Sequence, residues 1–228
     1  MFEAHLVTET AVDDSMSTIA VVLLAGGLGS RLGSDKALQL VAGKPLIRYI
    51  IERISGLSDE FIVVIGRDAS RSEYSKVLPD FARIINDEPE GKSPLVGIVT
   101  GLRAIRSHYA TVLSCDLPFV NKEVIQLLLE RASGADAAIP RSRAGHLEPL
   151  QAVYRRNPML QEAEQALAKG RLSPIDAINR LEQVVYVSIE DEIKKIDPEL
   201  RTFFNVNTKQ DVARAEMILE QAREVGEA

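Results

Sequence analysis

The sequence of 228 residues holds one cysteine, Cys115, only three histidines and no tryptophan. A single cysteine excludes an internal disulfide framework and suits a reducing compartment. With the histidines scattered as well, a zinc site built from Cys and His is not expected. Long apolar runs are also lacking. Stretches such as 19–25 have the length of a strand, far short of a bilayer span. Residues 1–18 are acidic and contain no apolar segment, so no secretory signal is read there. They are expected to form a loose extension ahead of one domain over 19–228. Long basic runs are missing too, and the net charge is −6, which makes nucleic acid a poor partner. The expectation is a non-exported, cytoplasmic enzyme with neither nucleic acid nor membrane as partner.

What is present is an alternation. "IAVVLLA" (19–25) is short, β-branched and apolar, the pattern of a buried strand. Pro45 suits a first helical turn, and Leu46, Ile47, Ile50, Ile51 and Ile54 recur at helical spacing, which predicts a helix over 45–55. Strands are expected at 61–66, 81–85 and 110–115, and helices at 70–78 and 96–107. Asn121 is the expected N-cap of "KEVIQLLLERA". Further strands are expected at 135–140, 146–154, 183–189 and 202–206, with two helices filling 158–181 and a closing helix at 208–224. This alternation predicts a three-layer α/β/α sandwich with a mainly parallel, Rossmann-like sheet, to which "EPLQAVY" adds an antiparallel piece. Such sheets bind ligands outside the carboxyl ends of their strands. Three polar groups fall there: the loop after Ala25, Asp116, and Asn205 with Asn207.

The loop reads "LAGGLGSRLGSDKAL" (24–38). A dinucleotide fingerprint fails, because Gly27 and Gly29 are followed by Leu32 where the third glycine is needed. A phosphate-binding P-loop fails as well, because Lys36 is followed by Ala37 and not by a hydroxyl residue. What remains is a long glycine-rich loop with two cations, Arg31 and Lys36. Glycines let backbone N–H groups approach anionic oxygens, and the two cations match the spread charge of a triphosphate. A surface turn with solvated charges has the same composition. Asp116, a carboxylate at a strand end, can hold Mg²⁺ or start a turn. Asn205 and Asn207 would share one face of a strand, or either could cap the helix at 208. Cys115 reads as a small buried strand residue.

The loop is similar to L-A-G-G-x-x-S-R-M/L-G-x-D-K, the signature of GT-A-like nucleotidyltransferases. Its D-K ending and the following "LVAGKPLI" resemble the molybdenum cofactor guanylyltransferases most closely. "SPLVGIVTGL" (93–102), "LSCDLPFV" (113–120), "EPLQAVY" (148–154) and "FFNVNTKQDV" (203–212) resemble further segments of that family in the same order, with Lys209 where proline is usual. The resemblance covers about residues 19–224. It implies Mg²⁺-dependent transfer of GMP from GTP to the phosphate of molybdopterin, with release of pyrophosphate. Under it, Asp116 and Asn207 hold the metal, while Arg31 and Lys36 neutralise the leaving pyrophosphate. Leu24, Ala25, Gly26, Gly27, Asp87 and Gly97 join Lys36 and Asp116 around the nucleotide. Asn205, Arg141 and His146 fall to the second substrate or its phosphate. The partners implied are the two small molecules, together with proteins that deliver molybdopterin or accept the product. CTP with molybdopterin, or another phosphorylated acceptor, is the alternative within the same fold. The family's base contact on the second strand falls near Val64 or Ile65, where this sequence has no polar side chain.

Overall fold

The structure is a computed structural model and describes residues 19–26, 28–29, 34–58, 60–87 and 93–224. The expectations for residues 1–18, Gly27 and Arg31 lie outside the described residues. A seven-stranded sheet contains β1 (Ile19–Ala25), β2 (Glu60–Ile65), β3 (Ala82–Asn86), β4 (Tyr109–Ser114), β5 (Ala137–Arg141), β6 (Gln151–Arg155) and β7 (Val184–Ser188). The strand order is β7-β5-β6-β4-β1-β2-β3. β1 runs parallel to β2 and β4, β2 to β3, and β5 to β7. β6 lies antiparallel between β4 and β5, as expected for "EPLQAVY". It begins at Gln151 and not at 146, because Pro149 has no N–H for a ladder and Gln151 N closes a turn onto Glu148 O at 3.2 Å.

Among the described residues the α-helices of five residues or more are α1 (Leu46–Ile54), α2 (Arg71–Ser75), α3 (Pro94–Ala104), α4 (Lys122–Ala132), α5 (Arg156–Ala168), α6 (Pro174–Ile178) and α7 (Lys209–Glu224). β1 shows the layering. Side chains alternate across a strand, so Val21, Leu23 and Ala25 pack with Ile47, Ile50 and Ile54 of α1 and with Val124 and Leu128 of α4. Ala20, Val22 and Leu24 pack on the other face with Leu95, Ile98 and Leu102 of α3 and Met159 of α5. That is the expected three-layer α/β/α arrangement.

α3 sits unusually close to β1. A Cβ on Gly101 would lie 2.2 Å from Val22 Cγ1, and one on Gly97, a turn earlier, would lie 3.2 Å from Leu24 Cδ2. Val22 is stiff at χ1 and fully buried, so it has nowhere to go. Gly101→Ala is therefore expected to lower stability by about 1–3 kcal/mol, measured by denaturant unfolding. Val22→Ala in the same chain should recover part of the loss. An unchanged midpoint would contradict the close packing.

The expected strand at 202–206 is not one. Arg201–Phe203 forms a 3₁₀ turn. Both sides of β4 are already paired, to β1 and β6, so this segment has no free ladder to join. It meets the sheet through Thr202 Oγ1, which accepts from the Gln151 side chain of β6, and it lies beside the end of β4 through Val206 N, which donates to Asp116 O at 2.9 Å.

Candidate active site

The strand order reverses between β1 and β4, and the crevice at their carboxyl ends is where such sheets bind ligands. Cys115 N donates to Leu24 O at 3.0 Å, which fixes the first residues beyond β4 against the end of β1. Asp116 follows, facing the crevice. Across from it, Lys36 opens a 3₁₀ turn (Lys36–Leu38) whose N-cap is Asp35, with Ala37 N donating to Asp35 Oδ1 at 3.2 Å. Lys36 Nζ donates to Asp116 Oδ2 and, at 2.6 Å, to Asn207 Oδ1. Three residues far apart in the chain thus meet at one ammonium group. The lysine and aspartate side chains are only 13% and 11% exposed, so the pair is little screened by water. Asp116 Oδ1 is buried and has no hydrogen-bond partner among the described residues.

The alternative roles as helix caps are filled by other residues. Asn121 caps α4, accepting from Glu123 N and Val124 N. Thr208 and Asp211 cap α7 reciprocally: Asp211 N donates to Thr208 Oγ1, and Thr208 N donates to Asp211 Oδ2. Asn207 gives only its backbone N–H to Asp211, and its side chain reaches Lys36. Asn205 differs. Its amide donates to Phe203 O at 3.0 Å, because the segment turns and is not a strand. Lys36 meets Asn207 and not Asn205, whose amide is turned back onto Phe203 O.

On the β2–β3 side of the crevice, Leu24, Asp87 and Gly97 converge. A Cβ on Gly97 would lie 3.9 Å from Asp87 Oδ2, and the other oxygen of Asp87 accepts from Thr100 Oγ1 at 2.7 Å. Ala25 ends β1, and Gly26 leaves it against Gly66, with room for no more than a tight Cβ at 3.3 Å from Gly66 N. Val64 and Ile65 are buried, so β2 presents no polar side chain there.

On the β5–β6 side lies a residue that the sequence reading passed over. Glu148, in the turn between those strands, has its carboxyl held above the usual range by burial; His146 opposes the shift and the charge of Asp116 adds to it. It therefore shares the field of Asp116 and His146. Its only sequence signal was its place in "EPLQAVY", which reads equally well as strand. His146 itself is exposed. Arg141 is not part of this cluster: its guanidinium sits 4.4 Å over the ring of Tyr186, on the edge strand β7. Burial, then Asp116, pushes the Cys115 thiol up, consistent with a buried strand-end residue and not a nucleophile.

Among the described residues no group of three or more His, Cys, Asp or Glu side chains gathers to hold a metal. A cation here would lean on few protein ligands, as Mg²⁺ commonly does. A cavity of about 420 Å³ lies outside the crevice, lined by Arg53, Phe119, Lys122, Asp197, Arg201 and Leu219 among others. None of Leu24, Lys36, Asp87, Gly97, Asp116, Glu148 and Asn207 lines it.

Residues 21–184 match the MobA-like NTP transferase domain family. The chain is 39% identical over 198 residues to a protein of Methanosarcina mazei named "probable molybdenum cofactor guanylyltransferase", covering 85% of this chain and 88% of that one. A protein of Desulfosudis oleivorans named molybdenum cofactor guanylyltransferase is 29% identical, with 91% and 99% covered. Among solved structures, the molybdopterin-guanine dinucleotide biosynthesis protein A of Archaeoglobus fulgidus superposes with a TM-score of 0.74 at 33% identity, over 89% of this chain and 99% of that one. The chain therefore belongs to the MobA-like NTP transferase family, in its molybdenum cofactor guanylyltransferase branch, and is a nucleotidyltransferase.

Proposed function

We propose that the protein transfers GMP from GTP to the phosphate of molybdopterin, releasing pyrophosphate and forming the guanine dinucleotide form of the cofactor. The observation that carries the reading is the Lys36–Asp116–Asn207 cluster at the β1/β4 switch point, with one buried carboxylate oxygen that has no partner among the described residues. An unpaired, buried carboxylate oxygen is costly unless something satisfies it. A hard cation with oxygen ligands fits that atom, and Mg²⁺ needs only one or two such ligands from protein. Asp116 would hold it, with the Asn207 amide oxygen beside it. When bound, Mg²⁺ supplies charge neutralisation along the phosphates.

The remaining work falls to the chain itself. An ammonium has three donors. Among the described residues two of those on Lys36 are used, on Asp116 and Asn207, leaving one for a phosphate oxygen. Leu24 to Gly26, Asp87 and Gly97 would seat the nucleoside. Arg31, in the glycine-rich segment, would share the charge of the leaving group with Lys36. The acceptor would enter from the side of the β5–β6 turn, near His146 and Glu148. A phosphate oxygen of molybdopterin forms the new bond to the α-phosphorus, the bond from that phosphorus to the bridging oxygen breaks, and pyrophosphate leaves. Positioning and charge stabilisation are sufficient for such transfer.

The choice of guanine and of molybdopterin is supported by the names of the relatives, since β2 offers no polar side chain to read a base. Among the described residues no helix is long and apolar enough to cross a membrane, and a cytoplasmic location belongs to this reading. The test is the mass of the product formed from molybdopterin, Mg²⁺ and an equimolar mixture of GTP and CTP. The guanine dinucleotide should predominate. A cytosine dinucleotide as main product would move the protein to CTP.

A further inference from the structure

We propose that Tyr74 is a positioning residue: its buried hydroxyl ties the two ends of the glycine-rich segment together and so holds Lys36 at Asp116. This rests on the reading of Lys36 as the cation that meets the phosphates.

α2 is a five-residue helix with one buried side chain, Tyr74, which is 1% exposed. It packs in the same cluster as Ala25, Ala37 and Ile47. Phenylalanine would fill that position without a polar atom to satisfy; a tyrosine buried this deeply needs a partner for its hydroxyl. It has two. The hydroxyl shares its one proton between two acceptors, Asp35 Oδ2 at 2.7 Å and Ala25 O at 3.1 Å. Ala25 is the last residue of β1, where the segment leaves the sheet, and Asp35 is where it returns, paired across from Leu28. The other oxygen of Asp35 accepts from Ala37 N and shapes the turn that carries Lys36. One hydroxyl therefore links the exit, the return and the turn of the catalytic lysine. Burial pushes up both the Tyr74 phenol and the Asp35 carboxyl, so the phenol keeps its proton for the bridge.

Tyr74→Phe keeps the ring and removes the bridge; Asp35→Ala removes it from the other side. In the protein without ligands, either change should raise amide hydrogen exchange across 26–37 at least tenfold and leave peptides from β2 and β4 unchanged. In turnover, each should lower kcat about tenfold while KM for GTP shifts less than threefold. The double variant should fall no further than Asp35→Ala, because both changes cut one link. Unchanged exchange over 26–37, or losses in kcat that multiply in the double variant, would overturn the proposal. If Tyr74→Phe loosens the whole fold, Asp35→Ala, which leaves the ring in place, decides by the same readouts. The exchange measurement needs no substrate, so it stands even if the wild type turns over no nucleotide and the functional reading fails.

Discussion

Asp116→Asn is expected to lower pyrophosphate release by about 10³-fold, the upper end of what one electrostatic group aimed at a transition state contributes. The substitution is nearly isosteric. The bond from Val206 N to the Asp116 backbone carbonyl remains, and asparagine can still accept from Lys36. What disappears is the charge beside a buried oxygen that has no partner among the described residues. The rise in thermal midpoint on adding Mg²⁺ should vanish with it, because a ligand stabilises only through a site it binds. Turnover within tenfold of wild type, or an undiminished Mg²⁺ shift, would place the cation elsewhere.

Lys36→Met should lower kcat by about 10²-fold or more, with a second effect that separates it from Asp116→Asn. Lys36 is the cation that Asp116 meets among the described residues. Removing it leaves a buried carboxylate uncompensated, which is strongly destabilising. The apo variant should therefore unfold at lower temperature than wild type. Mg²⁺ should then raise its midpoint by more than it raises that of wild type, since the ammonium no longer opposes a second cation at the same carboxylate. A smaller Mg²⁺ shift in Lys36→Met would contradict a shared role for Asp116 in holding lysine and metal.

The parts of the fold that were legible in the sequence are those that one physical pattern decides. β1, β2 and β4 are short, apolar and β-branched, and a strand in the middle of a covered sheet has to be. α1 carries its apolar stripe at helical spacing, and Asn121 caps α4 as its side chain allows. The failures have a common cause. "TFFNV" has the composition of a strand, yet a strand needs a free neighbour, and the neighbours of β4 were taken. Nor could the sequence show that Asn205 turns its amide back onto Phe203 O while Asn207 reaches Lys36. In the site, Asp116, Lys36 and Asn207 stood out because each sits at the end of an element or in a loop, where a polar side chain has no packing duty, and because each falls in a segment that resembles the family; position alone left Asp116 and Asn207 open to turn or cap roles. Tyr74 was not readable. In a short helix it looks like one more apolar anchor, and only the positions of Ala25 O and Asp35, distant in the chain, give its hydroxyl a task. Glu148 was hidden by a motif that also reads as strand.

Pyrophosphate release, measured with Mg²⁺ and each of GTP, CTP, ATP and UTP, with and without molybdopterin, tests the central claim most directly. The geometry at Asp116 and Lys36, together with the relatives of this chain, predicts release with GTP that requires both Mg²⁺ and molybdopterin. Folded protein that releases no pyrophosphate in response to molybdopterin with any of the four nucleotides would contradict it.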